Sequence, residues 1–396
     1  MSDPAHPDHT TLPAAAQIGR RPLLSTGAVL GEGPDASVPA HYGAPLREQR
    51  RLLDRRAVVD LGQLEVLEVR GADARSWLTA TTTQALTGTP VGTATSLAVL
   101  SPQGRVEHLA AATVIAEDSV LLVLDAGCRA GLRHYLEMMR FAARVEIDDR
   151  DDLRVLGALG PAPEVLPDLG LPEPVAVWSD GWPELGPGGV AYGPGPEDPS
   201  GAMLTVYEAS ALEAAPWQSD QLAGMMAWEA VRIADHRARA THEVDQRSLP
   251  HELDLLRTTV HTTKGCYRGQ ETVAKVLNLG QPPRRLVMLH VDGSQDLPIA
   301  AGGEVRRGGA EGKVVGTVTS AGMHADLGPI ALAVVRRAAP LDEQLSIQVP
   351  VASADGEAGS AWLDAAQEPI VLPRDHGERP ATPPPLSRGS ALADLE

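Results

Sequence analysis

The residue types best suited to chemistry stand together in one run, KGCYRGQETVAK, at positions 264–275. Of 34 basic residues only three are lysines, and there are two cysteines in 396 positions; two of those lysines and one cysteine fall in this run. Val273, Val276 and Leu277 are spaced as one helical face, and Gly280 with Pro282 gives a stop signal, so Cys266 stands just before a helix or in its first turn. A thiol there feels the positive end of the helix dipole together with Lys264 and Arg268, and all three favour thiolate over thiol. Gly265 and Gly269 allow close backbone approach or positive φ, which a bound planar ligand and a tight turn would both require. From the residues alone, Cys266 reads either as a reactive thiolate or as a small buried side chain in a turn.

Other candidates are weaker. Cys128 falls on the apolar stripe of a helix with Leu132, Tyr135, Leu136 and Met139, and free cysteine is among the most buried side chains, so it reads as core. His242, His251 and His261 precede Cys266 at spacings of nine, ten and five, too irregular for the tight ligand pairs of a structural zinc site. Neither a disulfide framework nor a metal site is encoded.

The elements that must position the run follow from periodicity. AVVDLGQLEVLEVR reads as strand, and ADARSWLTATTTQAL as a helix capped by Asp73. TSLAVL and RVEHLAAATVI flank the turn SPQG as a hairpin, SVLLVL is a buried strand, and Asp125 caps the next helix. ARVEI, LRVLGALG and MLTVYE are further strands, and positions 161–199, with ten prolines, form a loop-rich insertion. SDQLAGMMAWEAVRIADH is apolar on most faces and reads as a helix packed between layers, with Trp228 in the core or beside a ligand. RLVMLHV, GKVVGTVTS, GPIALAVVRR and LSIQV form a small all-β module. The predicted division is a disordered tail at 1–44, an α+β region at 45–280 with a Pro/Gly-rich loop at 160–200, a β-barrel at 281–350 and a second tail at 351–396.

Composition excludes several classes. A formal net charge of −18 without a basic stripe argues against direct nucleic-acid binding, because counterion release needs clustered Lys and Arg. No apolar run approaches the roughly 20 residues that cross a bilayer, and the N-terminus lacks a basic region followed by an apolar core. A cytoplasmic protein is expected.

KGCYRGQE resembles the signature of the YgfZ family of folate-binding proteins, relatives of the aminomethyltransferase (GcvT) of the glycine cleavage system. AVVDLGQLEVLEVRGADARSWL, SPQGRVEH, SLPHELDLLRTTVHTTKGCYRGQETVAKV and GKVVGTVTS with GPIALAVV resemble further family segments in the same order. The resemblance implies an α+β fold: a ring of domains, one ferredoxin-like, around a cavity for tetrahydrofolate, closed by a C-terminal β-barrel. It implies Cys266 and Lys264 as the catalytic pair, and Gly265, Tyr267, Arg268, Gly269, Gln270 and Glu271 as cofactor-binding residues. The implied function is that of a tetrahydrofolate-binding accessory protein for assembly or repair of iron-sulfur clusters. Its partners would be iron-sulfur client enzymes, including those that modify tRNA. The alternative is a folate-dependent aminomethyl or one-carbon transferase. Two departures bear on the choice. Glu107 and His108 stand where the aminomethyltransferases carry adjacent aspartates, and Ala234 stands where relatives often place a pterin-contacting glutamate.

Overall fold

Apolar alternation decides which face of each strand meets which layer. The computed structural model describes residues 21–160, 166–352 and 358–373. In chain order, β1 (Val29–Leu30) and β2 (Pro39–His41) form a short ribbon, and α1 (Pro45–Leu53) follows. β3 (Val58–Asp60) and β4 (Glu65–Arg70) then enter different sheets. After α2 (Ala74–Thr81), β5 (Ala94–Leu100), β6 (Val106–Ala116) and β7 (Ser119–Leu124) run as a meander, followed by α3 (Arg129–Met138), β8 (Glu146–Asp149) and β9 (Leu153–Leu159). Next come β10 (Ala176–Trp178), β11 (Ala202–Glu208), α4 (Ala209–Ala214), β12 (Leu222–Ala223), α5 (Met225–Ala234), α6 (Ala240–Glu243) and α7 (Gln270–Leu279). The barrel strands are β13 (Arg284–Val291), β14 (Glu304–Arg307), β15 (Lys313–His324), β16 (Gly328–Arg336), β17 (Leu345–Ala352) and β18 (Ala358–Pro369).

One sheet has the order β10-β11-β9-β3-β12, with β12 and β3 parallel and the other pairs antiparallel. The second, antiparallel throughout, has the order β5-β6-β7-β4-β8. Leu67 and Val69 of β4, with Val120, Leu122 and Leu124 of β7, point to a core shared with Trp77 and Leu78 of α2 and Leu132 and Leu136 of α3. The intervening Val66, Leu121 and Val123 point the other way, to a core shared with the first sheet and α5. The second sheet is therefore a middle layer buried on both faces, which is why SVLLVL is apolar at every position after Ser119. The third unit closes as β13-β16-β15-β14-β17-β18, leaving no open strand edge.

Three expectations give way. The sequence places a tail at 1–44, yet residues 21–44 carry the β1–β2 ribbon, and Asp35 lies buried against Arg239 at 2.7 Å. The sequence ends the barrel at 350, yet β18 pairs with both β13 and β17 and completes the closure, with Ile370 and Val371 buried beyond it. Its sequence, AGSAWLDAAQEP, is too poor in Val and Ile to announce a strand. Asp125 does not cap α3; Cys128 holds the N-cap position, and Asp125 instead accepts from Arg239 and from the Thr241 amide. The remaining tail positions, 1–20 and 374–396, lie outside the described residues.

Candidate functional site

Two places in the molecule have the makings of a site. The first is a cavity of about 190 Å³ between the two sheets, beside α5. Leu61, Leu109, Trp178, Met225 and Trp228 give it apolar walls, and Gln63, Asp125, Arg232, Arg237 and Arg239 supply its polar groups. The DLGQL stretch reaches this wall because Gly62 carries no Cβ: one there would lie 2.8 Å from Nε of Arg154. That arginine is fully buried and paired with Asp60. Three arginines arrive from the end of α5, where the helix stops at Ala234 and His236 adopts a left-handed backbone (φ 61°) that turns the chain back.

Each arginine is held by carboxylates. Arg239 donates to Asp35 at 2.7 Å, Asp125 at 2.9 Å and Glu229 at 3.3 Å. Arg232 donates to Glu229 at 2.7 Å and Glu243 at 3.1 Å. Burial pushes the Glu229 carboxyl up, but Arg232 and Arg239 outweigh it and bring its pKa down to about 2. Arg237 lies between the rings of Trp178 (5.3 Å) and Trp182 (5.0 Å) and pairs with Asp180 at 3.1 Å. Asp180 also accepts from Ser96 at 2.8 Å and Thr258 at 3.0 Å. Its burial favours protonation, and these donors reverse that. An apolar chamber with a few fixed polar groups is the common form of a small-molecule site. Ala234 packs into a separate core beside the barrel, and Asp235 is spent on Ser200, whose amide it accepts at 2.9 Å. Neither restores the missing glutamate.

The second place is the cysteine run. Gly269 begins α7 with φ 82°, and a Cβ there would lie 2.5 Å from the Ser101 carbonyl, so the helix start is pinned on the β5–β6 turn. Arg268 pairs with Glu107 at 2.7 Å and stacks 5.6 Å from the Tyr135 ring. Tyr267 is buried in a core that also holds barrel residues Leu286 and Ile330. Lys264 donates to the Thr79 carbonyl and lies 5.0 Å from the Tyr267 ring, and Gln270 donates to the Lys264 carbonyl at 3.4 Å. Burial pulls the Lys264 amine down to about 8, against an opposing pull from the charge of Cys266. Cys266, Gly265 and Glu271 are exposed. Gly265 has open space where a Cβ would go and no positive φ, so nothing crowds the backbone there.

The octapeptide is thus a braced surface loop, and none of residues 264–271 lines the cavity. Of the three cationic influences expected on Cys266, two weaken. The helix begins four residues later, beyond the reach of its dipole, and Arg268 is neutralised by Glu107. Lys264 remains. His251 is buried, accepted by the Val273 carbonyl at 3.1 Å, and among the described residues no group of three His, Cys, Asp or Glu is placed to hold a metal ion.

Residues 21–170 match the family model of the GCVT N-terminal domain, and residues 284–357 that of the glycine cleavage T-protein C-terminal barrel domain. The chain belongs to the glycine cleavage T-protein-related family. A chloroplastic Arabidopsis thaliana protein named as a transferase is 26% identical over 281 residues, covering 66% of this chain and 61% of the relative. The aminomethyltransferase of Nitrosococcus oceani is 25% identical over 138 residues, covering 35% of this chain and 37% of its own. The chain thus spans less than two thirds of the length of either relative. The crystal structure of glycine cleavage system aminomethyltransferase T from Bartonella henselae superposes with a TM-score of 0.65 at 19% identity, covering 89% of this chain and 96% of that one. That likeness establishes the T-protein fold.

Sequence reasoning passed over Gln63, Asp125, Arg232 and Arg239. A signal existed in VRIADHRAR, where three arginines crowd the end of an apolar helix. Trp228, read as core or cavity wall, lines the cavity.

Proposed function

We infer that the chain binds a reduced folate in the cavity between its two sheets and serves iron-sulfur enzymes through the exposed thiol of Cys266, in the manner of the YgfZ proteins its signature resembles. The observation that supports folate is the apolar chamber lined by Trp178 and Trp228, with arginine-fixed carboxylates, in a T-protein fold. When bound, tetrahydrofolate supplies one-carbon chemistry. The chain's own part is to enclose the pterin, fix its orientation through polar groups and keep water from its ring.

Aminomethyl transfer, the activity in the names of two of the proteins compared, is the second reading, and the comparisons accommodate it equally. Against it stands Glu107. The hairpin carboxylate that would manage the developing ammonium charge is tied to Arg268 and lies outside the cavity lining. Calorimetric titration with tetrahydrofolate tests the ligand: saturable heat is expected, and its absence removes folate. Cys266→Ser is expected to keep folate binding yet fail to restore iron-sulfur enzyme activity in a strain lacking the protein; full restoration removes the thiol from the mechanism. Formation of methylene-tetrahydrofolate from an aminomethyl donor would decide for the transferase.

A further inference from the structure

We propose that Gln63 is the residue that selects the cavity's ligand, its side-chain oxygen accepting a hydrogen bond from an N–H of the bound pterin. This rests on the folate reading above. Gln63 lines the cavity and is 7% exposed, and its Oε1 is a buried acceptor without a hydrogen-bond partner. Leaving such an atom unpaired in a native interior costs more than an average hydrogen bond returns, so a position like this calls for a donor from outside the chain.

The direction of the amide is fixed by its other end. Nε2 donates to Asp35 Oδ1 at 2.9 Å and to Met225 Sδ at 3.4 Å. Rotating the amide by half a turn would set its oxygen against the Asp35 carboxylate, two acceptors face to face. Asp35 cannot swing away, because Arg239 holds both its oxygens, at 2.7 and 2.9 Å. The relay Arg239 to Asp35 to Gln63 therefore leaves a carbonyl oxygen, and no N–H, unpaired at the chamber wall. The arginines of the wall are already engaged by carboxylates and carbonyls. A ligand whose edge carries N–H donors is recognised; one with acceptors at that edge is rejected, because two acceptors would meet at a buried oxygen.

The test is calorimetric titration of wild type, Gln63→Leu and Gln63→Met with tetrahydrofolate and with its 2-desamino, 3-methyl, 5-deaza and 8-deaza forms, which remove the pterin N–H donors one at a time. Both variants are first compared with wild type for thermal midpoint, so that whichever stays folded carries the measurement. The substitution is expected to weaken tetrahydrofolate about ten- to a hundredfold. It should leave unchanged the constant for the one analogue that lacks the donor Gln63 accepts, since the two losses are the same bond. Equal weakening of tetrahydrofolate and every analogue would mean that Gln63 only supports the wall, and an unchanged constant for tetrahydrofolate would mean that it plays no part; either overturns the proposal. If wild type gives no heat with tetrahydrofolate, the folate reading itself falls, and the ligand assigned to Gln63 falls with it.

Discussion

The cavity wall and the cysteine loop use charge in opposite ways. At the wall, Arg232 and Arg239 are nearly shielded from solvent, and each spreads its charge over two or more carboxylates. In the loop, Lys264 meets a carbonyl and an aromatic ring and pairs with no carboxylate among the described residues. Groups tied as at the wall hold their charge through the physiological range and serve as fixed geometry. A half-buried amine without a counter-ion is left to titrate near neutrality, and that is where proton chemistry is available. On the proposed reading this is a division of labour, the wall shaping the ligand site and the loop carrying the reactive group.

The sharpest test of that contrast sets the two cysteines against each other. Cys128 is half-buried close to the wall, and burial first, then the charges of Asp125 and Glu65, push its thiol up to about 12. At pH 8 only about one Cys128 thiol in ten thousand is ionised, and the thiolate is the species that reacts. A native-state titration with a disulfide reagent should therefore show one prompt thiol, lost in Cys266→Ser, and a second released only on denaturation. Two prompt thiols would erase the distinction.

Next in size is the wall. Arg239→Met removes the cation shared by Asp35, Asp125 and Glu229, leaving buried carboxylates uncompensated, and should cost about 3–5 kcal/mol in denaturant unfolding. By contrast, Arg268→Ala loses one partly exposed pair with Glu107 and a stacking contact with Tyr135, about 1 kcal/mol. If the two variants lost equal stability, the loop would be as structural as the wall.

The strands and the octapeptide were legible because their signals are local. Short runs of β-forming residues bounded by turns, as in β4 to β7, need no tertiary knowledge, and a thiol between lysine and arginine stands out in a chain so short of both Cys and Lys. The cavity was not legible, because its polar set is assembled from remote positions: Asp35 and Arg239 are 204 residues apart. Asp125 is a fair helix cap by type, and only the approach of Arg239 and Thr241 shows it is engaged elsewhere. Gln63 is harder still, since an unpaired oxygen is a property of surroundings and leaves no mark on sequence. β18 failed for a different reason. Its neighbours β13 and β17 supply the pairing that its own alanines and polar residues do not advertise.

The prediction that probes the loop most directly is the pH dependence of Lys264. Its amine stands at about 8 in the folded chain against an ordinary 10.5, because burial disfavours the cation. The folded state therefore binds fewer protons than the unfolded state between those values, and stability owed to the neutral amine is complete above about 10.5 and lost as pH falls through about 8. The unfolding free energy of wild type minus that of Lys264→Met should rise across this window and stay level below it. A difference that falls instead would mean that an ionised Cys266 holds the ammonium more strongly than burial expels it. Repeating the series in Cys266→Ser would then turn the slope upward, and the loop would be an ion pair like those of the wall.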